Sequence, residues 1–184
     1  MRVLVAYESL FGCTHEIAEA ITEGIREARP DAQVDCLRVT EADPGLVEKA
    51  DLLVVGGPTH MRGMTSGLSR KMGLQEHRKT AASQDSPHEV EPGAEGPGVR
   101  EWFKTLPKTR RGGKAAAFDT RAAVRMAGGA AHGIARGLRH HGYELVAEPE
   151  GFIIEDTEGP LRTGEPDRAK AWAAHLLGQP SYAS

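Results

Sequence analysis

Hydroxyl side chains and a glycine stand together in the segment Ser9-Leu10-Phe11-Gly12-Cys13-Thr14. A short apolar run precedes this segment, and isoleucines at every fourth position follow it. A turn between a strand and a helix points its backbone N–H groups and the positive end of the helix at one place. Gly12 accepts backbone angles that bulkier residues avoid, and the hydroxyls of Ser9 and Thr14 are hydrogen-bond donors. The segment therefore predicts a binding site for a phosphorylated small molecule.

Apolar runs and amphipathic stretches alternate along the chain, and this alternation predicts the elements that position the segment. Continuous apolar runs are typical of strands that are buried on both faces of a parallel sheet. We predict strands at Arg2–Tyr7, Gln33–Arg38, Asp51–Gly56, Lys114–Phe118 and Glu144–Ile154 (interrupted near Pro149), and helices at Thr14–Ala28, Leu46–Ala50, Ala130–His141 and Pro166–Leu177. This is an α/β fold with a doubly wound five-stranded parallel sheet, and the order 2-1-3-4-5 suits it. The loops after strands one, three and four are then expected to share one site.

The connection between residues 60 and 99 is much longer than a usual loop of such a fold. Its second half, from Ser83 to Gly98, is rich in Pro, Gly, Glu and Ser, and we predict that it is mobile. Its first half predicts a short amphipathic helix with an apolar side formed by Met61, Met64, Leu68, Met72 and Leu74. That side either packs against the sheet edge or covers a flat ligand.

The composition is that of a globular protein, and 184 residues predict a single domain with an insertion at about 65–97. The net charge is −3, so no overall attraction to nucleic acid or to an anionic membrane is expected. The basic stretch from Arg100 to Arg125 is interpreted as a solvated surface. No apolar stretch approaches the length of a membrane span, and two cysteines make neither a disulfide framework nor a metal site. A cytoplasmic location is therefore predicted.

Two further segments follow predicted strands. Gly56-Gly57-Pro58-Thr59-His60 comes after the third strand, and Phe118-Asp119-Thr120-Arg121 comes after the fourth. Together with Ser9–Thr14 they resemble the phosphate loop and the two isoalloxazine loops of the flavodoxin family, and the resemblance covers the chain apart from the insertion. The tail around Glu158-Gly159-Pro160-Leu161 looks like the C-terminal part of long actinobacterial members.

The resemblance implies a flavodoxin-like fold, FMN as cofactor, and one-electron transfer to or from a protein redox partner. It implies a phosphate site formed by Ser9, Leu10, Phe11, Gly12, Cys13 and Thr14. The residues that it places beside the flavin ring are Pro58, Thr59, His60, Met61 and Arg62. The segment Phe118-Asp119-Thr120-Arg121 is expected at the pyrimidine edge. Neither nucleic acid nor membrane is implied as a partner.

The chain departs from the family pattern at two places. Phe11 stands where a hydroxyl residue is usual, and the loss of one hydrogen bond to a charged group costs about 1.5–3 kcal/mol, or roughly ten- to a hundred-fold in affinity. The flavin loops also lack tryptophan and tyrosine, so His60 is the nearest flat side chain. Arg62 and Arg121 predict a raised reduction potential if they face the ring, whereas they have no such effect if they point into solvent or pair with Asp119.

The same segments argue against two other classes of protein. A low-molecular-weight tyrosine phosphatase needs an arginine six residues after its cysteine, where this chain has Glu19. A receiver domain needs an aspartate after the third strand, where Gly56 to Thr59 offers none. An FMN-dependent NAD(P)H:quinone-type reductase and a flavin-free binding or regulatory relative stay open. Cys13 is either a redox-sensing thiol with a lowered pKa or a contributor of its backbone N–H alone.

Overall fold

A computed structural model describes residues 1–60, 63–82, 89–109, 112–123, 129–156 and 158–178. Its strands are β1 (Arg2–Tyr7), β2 (Gln33–Arg38), β3 (Leu52–His60), β4 (Gly63–Met64), β5 (Lys114–Ala122), β6 (Glu144–Leu145) and β7 (Glu150–Ile154). Its helices are α1 (Cys13–Ala28), α2 (Pro44–Lys49), α3 (Gly67–Ala82), α4 (Val99–Phe103), α5 (Ala130–His140) and α6 (Glu165–Leu176).

The sheet has the order β2-β1-β3-β5-β6, and all of these neighbours are parallel. This confirms the predicted order 2-1-3-4-5, because β5 is the predicted fourth strand. The predicted fifth strand is divided into two pieces that pair with different halves of β5. The short β4 is antiparallel to the end of β3. The carboxyl ends of β1, β3 and β5 therefore lie side by side.

Strands β3 and β5 continue beyond their predicted ends at Gly56 and Phe118. Backbone pairing extends through Gly57 opposite Asp119 and Pro58 opposite Thr120. The apolar run ends earlier because the side chains turn polar while the backbone hydrogen bonds continue. Segments expected as loops are therefore held in the sheet, which fixes the spacing of the residues at its edge.

Apolar layers cover both faces of the sheet, as the continuous apolar runs predict. On one face the three isoleucines of α1, Ile17, Ile21 and Ile25, are completely buried. Helix α6 packs against α1 so closely that a Cβ on Gly24 would lie 2.6 Å from the carbonyl oxygen of Lys170. The other face is covered by α4 and α5. Within the described ranges no helix is both long enough and apolar enough to cross a membrane.

Helix α3 begins the insertion, and it is longer and oriented differently from the predicted amphipathic helix. Leu68 and Met72 are 71% and 53% exposed, so the predicted apolar side is wrong at these two residues, whereas Leu74 is buried. The buried side instead contains Arg70, Leu74 and His77, which recur at helical spacing. Ion pairs and hydrogen bonds to other elements determine which side faces inward. A count of apolar residues cannot detect such an orientation.

The rest of the insertion returns to the sheet. Residues 83–88, the first part of the stretch predicted to be mobile, lie outside the described ranges. The described part from residue 89 onward contacts the loop after β1, where Ala94 is buried beside Leu10 and Leu74. A single domain with a partly mobile insertion stays a prediction.

Candidate functional site

The loop after β1 has the shape of an anion cradle. Gly12 adopts φ +95°, which confirms the expected need for glycine, and its own N–H donates to Ser9 Oγ over 3.2 Å. It is the N-cap of α1, and no side chain caps the helix. Among the described residues, none accepts a hydrogen bond from the N–H of Leu10, Phe11, Cys13 or Thr14. These donors lie at the N-terminus of α1 or just before it, where the helix dipole is positive.

The two hydroxyls of this loop have different surroundings. Ser9 is buried, its oxygen accepts the Gly12 N–H, and no residue of the described ranges accepts its own hydroxyl hydrogen. Thr14 is also buried, and its Oγ1 lies 2.7 Å from Oγ1 of Thr120 on β5. One of these two hydroxyls donates to the other, so the pair has one hydrogen left to offer a ligand. This contact joins two of the three predicted segments directly.

Thr59 and Asp119 cap the N-terminus of α5. The N-cap residue Gly129 has no side chain to do so. Thr59 Oγ1 accepts the N–H of Ala130 over 2.8 Å and donates to Asp119 Oδ2 over 3.0 Å. The same Oδ2 accepts the N–H of Ala131 over 2.9 Å. Thr59 of the second segment and Asp119 of the third are thus fixed in place by capping α5. The sequence analysis did not predict this structural role.

Asp119 is completely buried, and burial raises the pKa of its carboxyl above the ordinary value. The hydrogen bond from Ala131 and the nearby Arg121 guanidinium oppose that rise in pKa. Its other oxygen, Oδ1, is buried and has no partner within the described part of the chain. The predicted contact of Asp119 with the pyrimidine edge stays a prediction, and Oδ1 is the atom left for it.

Phe118 and Arg121 lie apart from the loop after β1. The Phe118 ring is completely buried and packs edge-on against Phe152 and Trp172 on the face of α1 and α6. The ring therefore belongs to the hydrophobic core, and the predicted contact of Phe118 with a cofactor stays a prediction. Arg121 lies 3.7 Å from Asp119 Oδ2 and against Gly151 of β7. This favours the interpretation in which Arg121 is paired.

His60 ends β3 and is half-buried against α3. A Cβ on Gly73 would lie 3.4 Å from its ring carbon Cε1. Burial lowers the pKa of His60, although the Glu8 carboxylate raises it somewhat. Pro58, also half-buried, is paired with Thr120 across the strands. Met61 and Arg62, predicted beside the ring, lie outside the described residues.

The insertion covers the loop after β1, and Phe11 is its main contact. The Phe11 ring lies 5.1 Å from the His77 ring, centroid to centroid, and beside the cluster of Leu10, Leu74 and Ala94. His77 Nδ1 in turn lies 3.0 Å from Oε2 of Glu158. A hydroxyl residue at position 11 would lose this packing. The departure at Phe11 therefore has a structural explanation in the insertion.

A buried ion pair anchors α3 to the end of β1. Arg70 Nη1 lies 3.3 Å from Glu8 Oε1, and both side chains are more than 90% buried. The Glu8 carboxylate also accepts from the hydroxyl of Thr65 and, over 2.9 Å, from the N–H of Val99. The other Arg70 nitrogen, Nη2, lies 2.8 Å from Glu101. Sequence reasoning missed this cluster, whose one signal is a glutamate directly after an apolar strand.

Burial alone would raise the pKa of Glu101. The hydrogen bonds from Arg70 and from the N–H of Gly98 outweigh burial and hold this pKa below its ordinary value. Glu8 and Glu101, the two acids of the cluster, thus both pair with the guanidinium of Arg70. The cluster joins β1, α3 and the start of α4.

The Cys13 thiol does not have the environment of a redox sensor. Burial, with a smaller contribution from the Glu16 carboxylate, raises its pKa to about 11. The sulfur donates to the carbonyl oxygen of Glu158 over 3.6 Å. The possible lowering of the pKa by the helix N-terminus is therefore wrong for this chain. The interpretation in which the residue contributes its backbone N–H is favoured.

Cys13 is therefore expected to react slowly with iodoacetamide at pH 8, because only the thiolate attacks. At a pKa of about 11, roughly 0.1% is thiolate at pH 8, against about a quarter for an unperturbed cysteine. The labelling rate should rise about tenfold per pH unit up to pH 10. Mass spectrometry of a Cys36→Ser variant isolates the reaction, and a rate at pH 8 equal to that of free cysteine would contradict the expectation.

No family model matches the chain, and a search of curated proteins finds none similar in sequence. Its structure is similar to that of oxidised flavodoxin 1 from Bacillus cereus, with a TM-score of 0.65 and 16% identity over 98% of this chain and 100% of that one. A flavodoxin from the domain Archaea gives 0.62 and 17% identity over 97% of both chains. Two-electron reduced flavodoxin from Megasphaera elsdenii gives 0.57 and 17% over 94% and 98%.

These similarities extend over nearly the whole length of each chain. They agree with the order of the sheet. The protein has the flavodoxin fold.

Proposed function

We propose that this protein binds FMN and carries electrons to or from a protein partner. The observation that carries the proposal is the left-handed turn at Gly12, flanked by four N–H groups of the loop and of the first turn of α1 for which no other described residue provides an acceptor. A phosphate monoester is a suitable acceptor for such a set of donors. The cradle fits the phosphate of a mononucleotide.

The residues at the sheet edge suit the other parts of the cofactor. Ser9 retains one hydroxyl hydrogen, and the Thr14–Thr120 pair retains another, so two hydroxyl donors supplement the backbone. We place the flavin ring between the ends of β3 and β5, beside Pro58, Thr59 and His60 and the neighbouring Met61 and Arg62. Oδ1 of Asp119 is an acceptor that an imide N–H would satisfy. A bound FMN would supply the redox chemistry, and the protein would hold and orient it.

Electron carriage is the function that the related structures support. Among the similar structures, one flavodoxin is oxidised and another is two-electron reduced. The pairing of Arg121 with Asp119 reduces the positive charge that this arginine offers to the ring. This removes part of the basis for a raised potential. The protein partner and the cytoplasmic location stay predictions.

Titration of FMN into the purified protein tests the proposal. We expect FMN fluorescence to be quenched on binding, and riboflavin, which lacks the phosphate, to bind at least tenfold more weakly. Stepwise reduction of the loaded protein, followed by visible spectroscopy, should show two resolved one-electron steps. Absence of quenching would favour the flavin-free relative. A single two-electron step together with turnover of NAD(P)H and a quinone would favour the reductase.

A further inference from the structure

Glu91, in the returning part of the insertion, contacts the outer side of the loop after β1. Its N–H donates to the carbonyl oxygen of Leu10 over 2.9 Å. Its carboxylate oxygen Oε1 lies 2.8 Å from His15 Nδ1, and Oε2 accepts a hydrogen bond from Arg38 Nη2. The side chain is only 15% exposed. Glu91 is therefore fixed through both its backbone and its side chain.

Arg38, the last residue of β2, completes the contact. Its Nη1 donates to the carbonyl oxygen of Ser9 over 3.4 Å, and its guanidinium carbon lies 5.6 Å from the centroid of the Tyr7 ring. The side chain is 18% exposed. Two consecutive carbonyls of the loop, those of Ser9 and Leu10, are thus bound from the same cluster.

The direction of these carbonyls determines the direction of the cradle donors. In a trans peptide the C=O and the following N–H point opposite ways. The carbonyl of Ser9 shares its peptide with the N–H of Leu10, and the carbonyl of Leu10 shares its peptide with the N–H of Phe11. Holding both carbonyls on the outer side therefore turns both N–H groups away from the Glu91–Arg38 cluster. Both are donors for which the described residues provide no acceptor.

We propose that Glu91 and Arg38 are positioning residues that hold the Ser9–Thr14 loop in its phosphate-binding shape before the phosphate arrives. This inference rests on the proposed function. Neither residue needs to touch the cofactor, because each acts through the loop carbonyls. A binding site held in its bound conformation in advance spends less of its interaction energy on ordering itself.

The negative charge of Glu91 would by itself weaken phosphate binding. The direction in which FMN affinity changes when this side chain is removed therefore tests the proposal. Its Oε1 lies 3.8 Å from the position that a Cβ on Gly12 would take, so a carboxylate stands close to the cradle. A carboxylate repels a phosphate, although the adjacent Arg38 offsets part of that repulsion. If positioning dominates, removal of the Glu91 side chain weakens FMN binding. If repulsion dominates, the same removal strengthens it.

Fluorescence titrations with FMN and with riboflavin test the proposal on the full chain. For Glu91→Ala and Arg38→Met we expect FMN affinity to fall about tenfold, and riboflavin affinity to stay within about twofold of the wild type. Glu91→Gln keeps one oxygen acceptor for Arg38 and is expected to retain most of the FMN affinity. Glu95→Ala is the matched control, because Glu95 belongs to the same segment but pairs with the exposed Arg78 over 2.5 Å.

Four results would overturn the proposal. Tighter FMN binding by Glu91→Ala would make Glu91 a competitor of the phosphate. An equal fall in FMN and riboflavin affinity would reduce the cluster to general support of the fold. Wild-type affinity for both FMN and riboflavin in both variants would remove the cluster from phosphate binding and leave the proposed function intact. A wild-type protein that binds neither flavin would remove the proposed function and this inference together.

Discussion

Replacement of Arg70 by methionine is expected to lower the free energy of unfolding by about 3–5 kcal/mol. The substitution leaves the Glu8 carboxylate buried without its cation, and an uncompensated buried charge is far more costly than the loss of the pair itself. The volume of the side chain is roughly kept, so the effect comes from charge more than from a cavity. Urea unfolding followed by circular dichroism measures the change in the free energy of unfolding.

Two variants separate this effect from a general sensitivity of α3. Arg78→Met alters an arginine on the same helix whose ion pair with Glu95 is exposed, and its effect on stability should stay below about 1 kcal/mol. The double variant Glu8→Gln, Arg70→Met removes both charges and should recover part of the loss. An Arg70→Met variant that is as stable as the Arg78→Met variant would show that the Glu8–Arg70 pair does not anchor the insertion.

Replacement of Gly12 by valine is expected to lower FMN affinity by about ten- to a hundred-fold. A left-handed backbone costs a residue with a Cβ roughly 1–2 kcal/mol, and a β-branched residue tolerates it least. The loop relieves this strain by turning peptides, which removes N–H groups from the cradle. Titration with FMN measures the loss, and urea unfolding measures the accompanying strain.

Gly164→Val is the matched control for this prediction. Gly164 is the N-cap of α6, has φ +86°, and has open space around its missing side chain. The variant should show a similar loss of stability and unchanged FMN binding. If Gly12→Val binds FMN as tightly as Gly164→Val does, the Gly12 turn does not form the phosphate site.

The order of the sheet and the loop after β1 are readable from the sequence because both depend on local patterns. Continuous apolar runs report burial on both faces, and the glycine between a strand and a helix reports a left-handed N-cap. The capping of α5 was not readable in this way. Gly129 has no side chain with which to cap its own helix, and the acceptor comes from Thr59, which is 71 positions from Ala130 in the sequence.

The insertion could not be predicted in the same way. The inner side of α3 is set by Arg70 and His77, whose partners Glu8 and Glu158 are 62 and 81 positions away. Nothing local to α3 marks these residues as buried, since arginine and histidine at helical spacing are typical of an exposed side. In the sequence, Phe11 likewise indicates only the loss of a hydroxyl donor to phosphate. Its contact with the His77 ring shows that it packs against α3 of the insertion.

The anchors of the insertion also determine when it docks during folding. The Glu8 contacts join residues 62 and 91 positions apart, and the Glu91 contacts join residues 53 and 76 positions apart. Each contact needs the ends of β1 or β2 to be already in place, and closing long loops is entropically costly until the sheet exists. We therefore expect α3 to dock only after β1 has paired into the sheet. In that order of events the Gly12 turn forms before the insertion covers it.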